Sequence, residues 1–371
     1  MRILYFSETF TVHDHRFLSS LAATEHEVHF ARLLKDERDM SSIQGYKNIH
    51  IEGSLGLSPQ QGFLDLLGVV GSFNKIIRKV EPDLVHAGPV QNCAFVAAMA
   101  SPTPLLAMSW GFDLMDIIHR RWIWTQTAKL ALRRAAYYTS DALATQEAAF
   151  ALGMDPKRSS LIPWGVDCDL FQPTPRETGL GQAGKFTLFC NRSWEPTYGV
   201  DVLAHAFVLA ARQNPHLHLL LLGSGSMGEK IQNILKEGGC MDKVTLPGRI
   251  AQADLPAYYR KADLYISPSH VDGSSVSLME ALACGLPVLV SDIPGNIPWV
   301  EEAKNGWTFP DGNVDNLVEK ILFASNNTAQ LPAMGSEARN TALKEANWKV
   351  NFQKLLQTYQ DTLAAANQVN R

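Results

Sequence analysis

The feature that most restricts this chain is an alternation of short β-type runs with longer helical stretches, which starts at the first residues and restarts near residue 186. In the first half, strands are expected at Ile3–Phe6, Val28–Ala31, Leu84–His86, Leu105–Met108, Ala142–Ala144 and Leu161–Pro163. Helices are expected between them, at Phe63–Lys79 and Ile117–Ala136 among others. The second half offers strands at Phe186–Phe189, His218–Leu222, Val244–Leu246, Leu264–Ser267 and Val288–Val290. Parallel strands need crossover connections, and helices supply them, so this pattern predicts α/β folding with parallel sheets covered on both faces. Gln172–Lys185 is Pro/Gly/polar without apolar periodicity and reads as the linker. The expected organisation is a domain over 1–172, a second over 173–347, and a terminal segment 348–371. Its helix, Trp348–Ala365, is expected to return to the first domain.

Composition narrows the classes further. Hydrophobic residues at 46% and charged residues at 19% exclude a disordered chain. Lys and Arg number 33 against 37 Asp and Glu, a net charge of −4, so no global basic field for nucleic acid exists. Five scattered cysteines without a CxxC pair read as free buried thiols in a reducing cytosol. The N-terminus shows no signal-peptide pattern, and no apolar run reaches the ~18–20 residues of a membrane span. A soluble cytoplasmic protein is expected, at most peripheral to a membrane.

Gly223-Ser224-Gly225-Ser226-Met227-Gly228 is a literal G-x-G-x-x-G between a strand and a helix. A nicotinamide dinucleotide site, and hence an oxidoreductase, would need such glycines at the first βα turn, with a ribose-binding acid ending the next strand. Here the motif follows the second strand of its domain, and Asp242 precedes the next strand instead of ending it. The dinucleotide reading is disfavoured, although Gly223 can still line a nucleotide site.

Leu264–Asp292 is the most informative stretch. A strand ends in Ser-Pro-Ser, a polar loop turns through Asp272 and Gly273, and Ser274 or Ser275 can cap a helix that carries Glu280. Gly285 is placed to stop that helix, and Pro287 starts the next strand. Backbone N–H groups at Ser275 and Val276 would stand at a helix start, a suitable site for a diphosphate.

Asp272-Gly273-Ser274-Ser275-Val276, then Glu280-Ala281, Ala283, Gly285, Pro287 and Val288, resembles the carboxylate–x7–carboxylate motif of glycosyltransferase family 4, also called glycosyl transferases group 1. Ile162-Pro163-Trp164-Gly165-Val166-Asp167 with Phe171, Asn191-Arg192 with Gly199-Val200-Asp201-Val202-Leu203, and Gly248-Arg249-Ile250 with Leu255, Tyr259 and Asp263 resemble further family segments in the same order. The resemblance implies the GT-B fold: two Rossmann-like domains facing an interdomain cleft, acceptor side first and nucleotide-sugar side second. It also implies a retaining, metal-independent transfer from a nucleotide diphosphate sugar to a hydroxyl acceptor (a glycan, glycolipid or lipid-linked precursor), as in cell-envelope polysaccharide synthesis. No cofactor is expected. Arg192 would clamp the diphosphate, Glu280 accept from the ribose, and Asp272 hold the transferred sugar. Backbone near Arg249 and Ile250 would touch the base, and that of Ser274, Ser275 and Val276 the phosphates.

The chain departs from the family in places. The phosphate-binding Lys falls on Tyr198, which removes one cation from the donor site. The His-Gly-x-Asp of the first domain becomes Trp110-Gly111-Phe112-Asp113, and the first loop carries His13 and Asp14 where a Gly pair is usual. Those four residues, Trp110, Asp113, His13 and Asp14, are the acceptor-side candidates. Asp14 can equally cap a helix, and Trp110 can equally pack in a core. His13-Asp14-His15 invites a metal reading, which the resemblance opposes. Arg120, Arg121, Lys129, Arg133 and Arg134, interleaved with Trp122 and Trp124, make 119–138 a candidate for contact with an anionic membrane, or a plain solvated scaffold helix. A nucleotide-sugar epimerase and a non-catalytic nucleotide-sugar binder are the other readings on this fold. Donor base, donor sugar, acceptor and oligomeric state are not specified by these residues.

Overall fold

The computed structural model describes residues 1–35, 40–60, 62–100, 102–115, 122–173 and 184–369. The chain divides into two compact units: Met1–Ile162 with Phe352–Arg371, and Pro163–Asn351. The divisions therefore lie at 162/163 and 351/352, where the sequence suggested 172/173 and 347/348. The reason is local pairing: the Val166 amide donates to the Ala346 carbonyl at 2.7 Å, and the Trp348 amide to the Val166 carbonyl at 3.0 Å. Residues 174–183 of the expected linker, and 117–121 of the expected basic helix, lie outside the described residues.

Unit 1 contains a seven-stranded parallel sheet: β1 (Arg2–Ser7), β2 (Glu27–Leu34), β3 (Ile49–Leu57), β4 (Leu84–Ala87), β5 (Leu105–Met108), β6 (Tyr137–Ser140) and β7 (Ser159–Leu161), in the order β3-β2-β1-β4-β5-β6-β7. Its longer helices are α1 (Val12–Ala22), α2 (Phe63–Val80), α3 (Trp122–Arg134) and α4 (Leu143–Ala151). Two corrections to the sequence reading stand here. Ala142–Ala144 is the start of α4, and the strand is the preceding Tyr-Tyr-Thr-Ser, whose aromatic and β-branched residues suit a pleated surface. Leu161–Pro163 shifts back to Ser159–Leu161, paired with β6. The edge strand β3 was not expected: Gly53 and Gly56, both at positive φ, interrupt its apolar pattern.

Unit 2 repeats the plan with six strands: β8 (Phe186–Cys190), β9 (Leu217–Leu222), β10 (Val244–Gly248), β11 (Leu264–Ser267), β12 (Val288–Ser291) and β13 (Gly306–Phe309), in the order β10-β9-β8-β11-β12-β13. Its longer helices are α5 (Val200–Gln213), α6 (Gly228–Glu237), α7 (Val276–Ala283), α8 (Val314–Asn326) and α9 (Leu331–Glu345). The last helix, α10 (Trp348–Val369), begins in unit 2 and ends in unit 1. Within unit 1 its Tyr359 hydroxyl lies 2.9 Å from His86 Nδ1, in a pocket of Tyr5 and Phe17 rings.

The central strands are buried on both faces, as parallel sheets require; β4, β5, β8 and β11 have no exposed residue. In each sheet the strand order reverses about the first strand, between β1 and β4 and between β8 and β11. Ligands of such sheets bind outside the carboxyl ends of the strands at that reversal. The positions that matter are therefore those just after β1, β4, β8 and β11. All five cysteines are buried and unpaired.

Candidate active site

In unit 2 the reversal is flanked by the turn after β8, which carries Arg192, and the loop after β11, which carries Asp272. The Arg192 guanidinium donates to Asp272 Oδ2 at 2.6 Å through Nη2, and to Ser277 Oγ at 2.8 Å and Ser275 Oγ at 3.0 Å through Nη1. The Tyr198 ring lies beneath it, 4.3 Å from centroid to guanidinium carbon. Burial works against the charge, but the Asp272 carboxylate outweighs it and raises the Arg192 pKa. Arg192 Nε is buried and has no partner among the described residues, and the same holds for Asn191 Oδ1 next to it. Buried polar atoms without a partner are uncommon and costly, which marks this tip of β8 as a place for a ligand.

Ser275 is the N-cap of α7, with its Oγ accepting from the Leu278 amide, and Gly285 at φ 66° follows the helix end. The Glu280 side chain points inward: the residue is 3% exposed and its Oε2 accepts from the Tyr259 hydroxyl at 2.8 Å. That hydroxyl also contacts the Ser277 carbonyl at 3.0 Å and accepts from Asn191 Nδ2 at 2.8 Å. Glu280 is thus neither exposed nor isolated, and Tyr259 ties it to the Arg192 turn. Sequence reasoning gave no role to Tyr259 or Ser277; both lie in segments it had singled out, but their bonds span long separations.

Two glycines let these loops meet. Gly199, at φ 58°, sits so close to the Pro268 carbonyl that a Cβ would collide with it, and a Cβ at Gly295 would collide with the Asp272 carbonyl. The Tyr198 turn and the Asp272 loop are therefore held by backbone approach.

The glycine-rich loop is committed elsewhere. The Gly223 amide donates to the Gly248 carbonyl, the Met227 amide to Trp194, the Gly228 amide to Gly225, and the Ser226 amide to Glu195. Those four amides cannot cradle a pyrophosphate, which weakens the physical basis of a dinucleotide site. Gly223 follows the end of β9, which lies beside β8. Arg249 is exposed and Ile250 half-buried at the end of the edge strand β10, two strands from β8. Ser274 is buried beside Met279, and Val276 opens α7.

In unit 1 the corresponding loops bring His13, after β1, against Trp110, after β5, with rings 6.2 Å apart and edge-on. Burial, helped by Arg16, lowers the His13 pKa to about 3, so the ring is neutral. Asp14 is the third residue of α1 and closes a capping box with Thr11, accepting from its amide at 2.7 Å and hydroxyl at 2.6 Å. Asp113 accepts from the Val90 amide at 2.8 Å, Ser109 Oγ at 2.7 Å and the Trp110 amide at 2.9 Å. Both carboxylates are buried knots that shape loops, and burial raises the pKa of each. In α3, Thr127, Ala128, Ala131 and Leu132 face the core, Trp122 is exposed, and Arg134 donates to the Ala98 carbonyl. Among the described residues no helix is long and apolar enough to cross a membrane.

Comparison with known proteins covers both units. The family described as Glycosyl transferases group 1 matches residues 173–341, and that described as Glycosyl transferase 4-like matches 2–146. A GDP-mannose-dependent alpha-(1-6)-phosphatidylinositol monomannoside mannosyltransferase of Mycobacterium tuberculosis is 25% identical over 287 residues, 72% of each chain. A D-inositol 3-phosphate glycosyltransferase of Segniliparus rotundus is 28% identical over 56% of this chain and 48% of its own. Among solved structures, HepE of Anabaena in complex with UDP superposes with a TM-score of 0.82 at 19% identity, covering 97% of this chain and 100% of that one. The sucrose-phosphate synthase of Thermosynechococcus elongatus gives 0.83 at 20% identity, over 98% and 100%. The shared architecture is GT-B.

Proposed function

The chain belongs to the group 1 glycosyltransferases, enzymes of GT-B fold that use nucleotide-sugar donors, and from that premise we propose a retaining, metal-independent transfer to a hydroxyl acceptor. The observation that carries the reading is Arg192: a buried guanidinium shared among Asp272, Ser275 and Ser277, with its Nε lacking a partner among the described residues.

When the donor enters, its diphosphate takes Arg192 and the start of α7. A guanidinium offers a planar fork of permanently charged donors, and the helix start adds backbone N–H groups. Asp272, released from Arg192, turns to the hydroxyls of the transferred sugar. Glu280, oriented by Tyr259, accepts from the ribose, and Arg249 and Ile250 border the base. Tyr198 replaces a cation with a π-face that supports Arg192. As the bond from the anomeric carbon to phosphate loosens, Arg192 and the helix start stabilise the leaving oxygens. The acceptor oxygen bonds to the anomeric carbon on the face the diphosphate leaves, and its proton passes to a donor phosphate oxygen. This keeps the anomeric configuration and requires no metal.

Acceptor recognition falls to unit 1, with His13 and Trp110 as an aromatic surface shaped by Asp14 and Asp113. The relative named for a phosphatidylinositol substrate supports a lipid-linked acceptor, and α3, with Trp122 exposed, is the element that would rest on an anionic membrane. Relatives named for GDP-mannose and neighbours solved with UDP-glucose define the donors to try first. The test is an assay of UDP-glucose and GDP-mannose with polyprenyl- and inositol-linked acceptors, with and without EDTA. An α-linked product from an α-linked donor, formed equally in EDTA, is expected. An inverted product, or activity abolished by EDTA and restored by metal, overturns the mechanism.

A further inference from the structure

We propose that Glu27, His29 and His50 form a binding site for a zinc-like divalent metal ion that staples the edge strand β3 to β2. His29 and His50 are directly paired across the two strands, and Glu27 lies two residues before His29, so all three share one face of the sheet. One ligand atom from each can be chosen so that all lie within 4.8 Å of one another. His29 Nε2 is 3.1 Å from Glu27 Oε1, and His50 Nε2 is 3.9 Å from the same oxygen. Tetrahedral zinc with bonds of ~2.0–2.1 Å separates its ligand atoms by about 3.3 Å. The first pair is already there, and the second needs a shift of well under ~1 Å by His50, an exposed side chain.

A separate observation shows how His29 is oriented toward this gap. His29 Nδ1 lies 2.8 Å from Glu52 Oε1, and Lys79 holds the other Glu52 oxygen at 2.6 Å. This is the carboxylate–histidine arrangement that fixes the tautomer of a metal-ligating ring. With its proton on Nδ1, the ring aims the Nε2 lone pair at the Glu27 carboxylate, and two electron-rich atoms face each other at 3.1 Å. A proton or a metal ion between them resolves the repulsion. Arg2 binds the other Glu27 oxygen at 3.1 Å, which leaves Oε1 to the gap. Two imidazoles, one carboxylate and a water suit Zn²⁺ or Co²⁺, whereas Ca²⁺ and Mg²⁺ prefer oxygen ligands alone.

The site lies at the amino ends of β2 and β3, whereas ligands of such sheets bind at the carboxyl ends, so its metal takes no part in transfer. Its role is mechanical. The β2–β3 register runs unbroken over Val28↔Ile49, His29↔His50 and Phe30↔Ile51, then shifts between Phe30 and Ala31 and again between Arg32 and Leu34. The metal would pin that regular part of an otherwise loosely specified edge.

The experiment uses the full chain, stripped with chelator and titrated with ZnCl2 by calorimetry at pH 7.5, with CoCl2 absorption and thermal unfolding as further readouts. One saturable equivalent, a Co²⁺ d–d band of tetrahedral intensity and a higher Tm with zinc are expected. His50→Ala should abolish the band, and Glu52→Gln should weaken zinc binding by about 10–100-fold, the scale for losing the partner that orients a ligand. Absence of saturable binding, or a band and stoichiometry unchanged in His50→Ala, overturns the proposal. His50 is exposed, so this variant leaves the fold intact.

Discussion

Arg192 Nη2 lies 2.6 Å from Asp272 Oδ2, an ion pair formed across 80 residues of sequence with only 10% of the arginine side chain and 16% of the aspartate exposed. Such a pair pays a desolvation cost that its attraction barely returns, so its presence points to a use beyond stability. Under the proposed function, that use is an exchange of partners on donor binding. Arg192→Ala is expected to lower kcat by more than ~10²-fold, the scale for a lost transition-state donor. Arg192→Lys should recover little, because a point charge cannot reproduce the fork that reaches Asp272, Ser275 and Ser277. Steady-state kinetics of the two variants, with circular dichroism to verify folding, decide the matter; a kcat near that of the parent chain would remove Arg192 from the mechanism.

Tyr259→Phe separates positioning from chemistry. The change removes the hydroxyl that links Glu280, the Ser277 carbonyl and Asn191, and leaves buried groups unpaired, at about 1–3 kcal/mol. If Glu280 binds ribose, the donor KM should rise several-fold while kcat changes less. Glu280→Gln should show the same split. An effect on Tm alone would leave Tyr259 as core packing.

Tyr198 tests the missing cation. Tyr198→Ala deletes a cation–π contact worth about 0.5–2 kcal/mol and should raise the donor KM by roughly 3–30-fold. Tyr198→Phe keeps the π-face and should stay close to the parent. If Phe fails as badly as Ala, the hydroxyl carries the role instead.

Acid stability should show two opposed slopes from unit 1. Burial raises Asp14 to about 6, so the folded state holds its proton more tightly than the unfolded chain. Its contribution is complete below pH ~4 and is lost as the pH rises through about 6, about 3 kcal/mol in all. Burial lowers His86 to about 3, so its contribution is complete above pH ~6.5 and is lost as the pH falls, roughly 1.4 kcal/mol per pH unit. Asp14→Asn should therefore steepen the loss of stability between pH 6 and 4, and His86→Gln should flatten it. Urea midpoints at half-unit pH steps measure both; equal slopes in all three proteins would contradict these assignments.

Much of the architecture was readable because a buried parallel strand is a short apolar run between turn residues. Leu105–Met108 and Leu264–Ser267 coincide with their strands residue for residue. Strands escaped where that signal fails. β3 carries Gly53, Ser54 and Gly56, and β13 is only Gly-Trp-Thr-Phe. Ala142–Ala144 misled because apolar residues of a helix start look like a strand over three positions. At the site, the Ser275 N-cap was legible from the residues themselves, whereas Arg192 and Asp272 were singled out by the family resemblance. The bond from Tyr259 to Glu280 and the commitment of the Gly223, Ser226 and Met227 amides depend on which segments become neighbours, which no local pattern states.

Helix α10 has a consequence for how the molecule is made. Its Tyr359 reaches His86, 273 residues earlier in the chain, and its Thr358 reaches Ser160. Unit 1 therefore starts to leave the ribosome before unit 2 and is completed only after it. Until α10 has been synthesised, the face that it will cover, with its Tyr5, Phe17 and His86 side chains, stays open to solvent and to chaperones. Termination between residue 163 and the start of α10 would leave a complete first sheet without its closing helix, a product fit for quality control and not for catalysis.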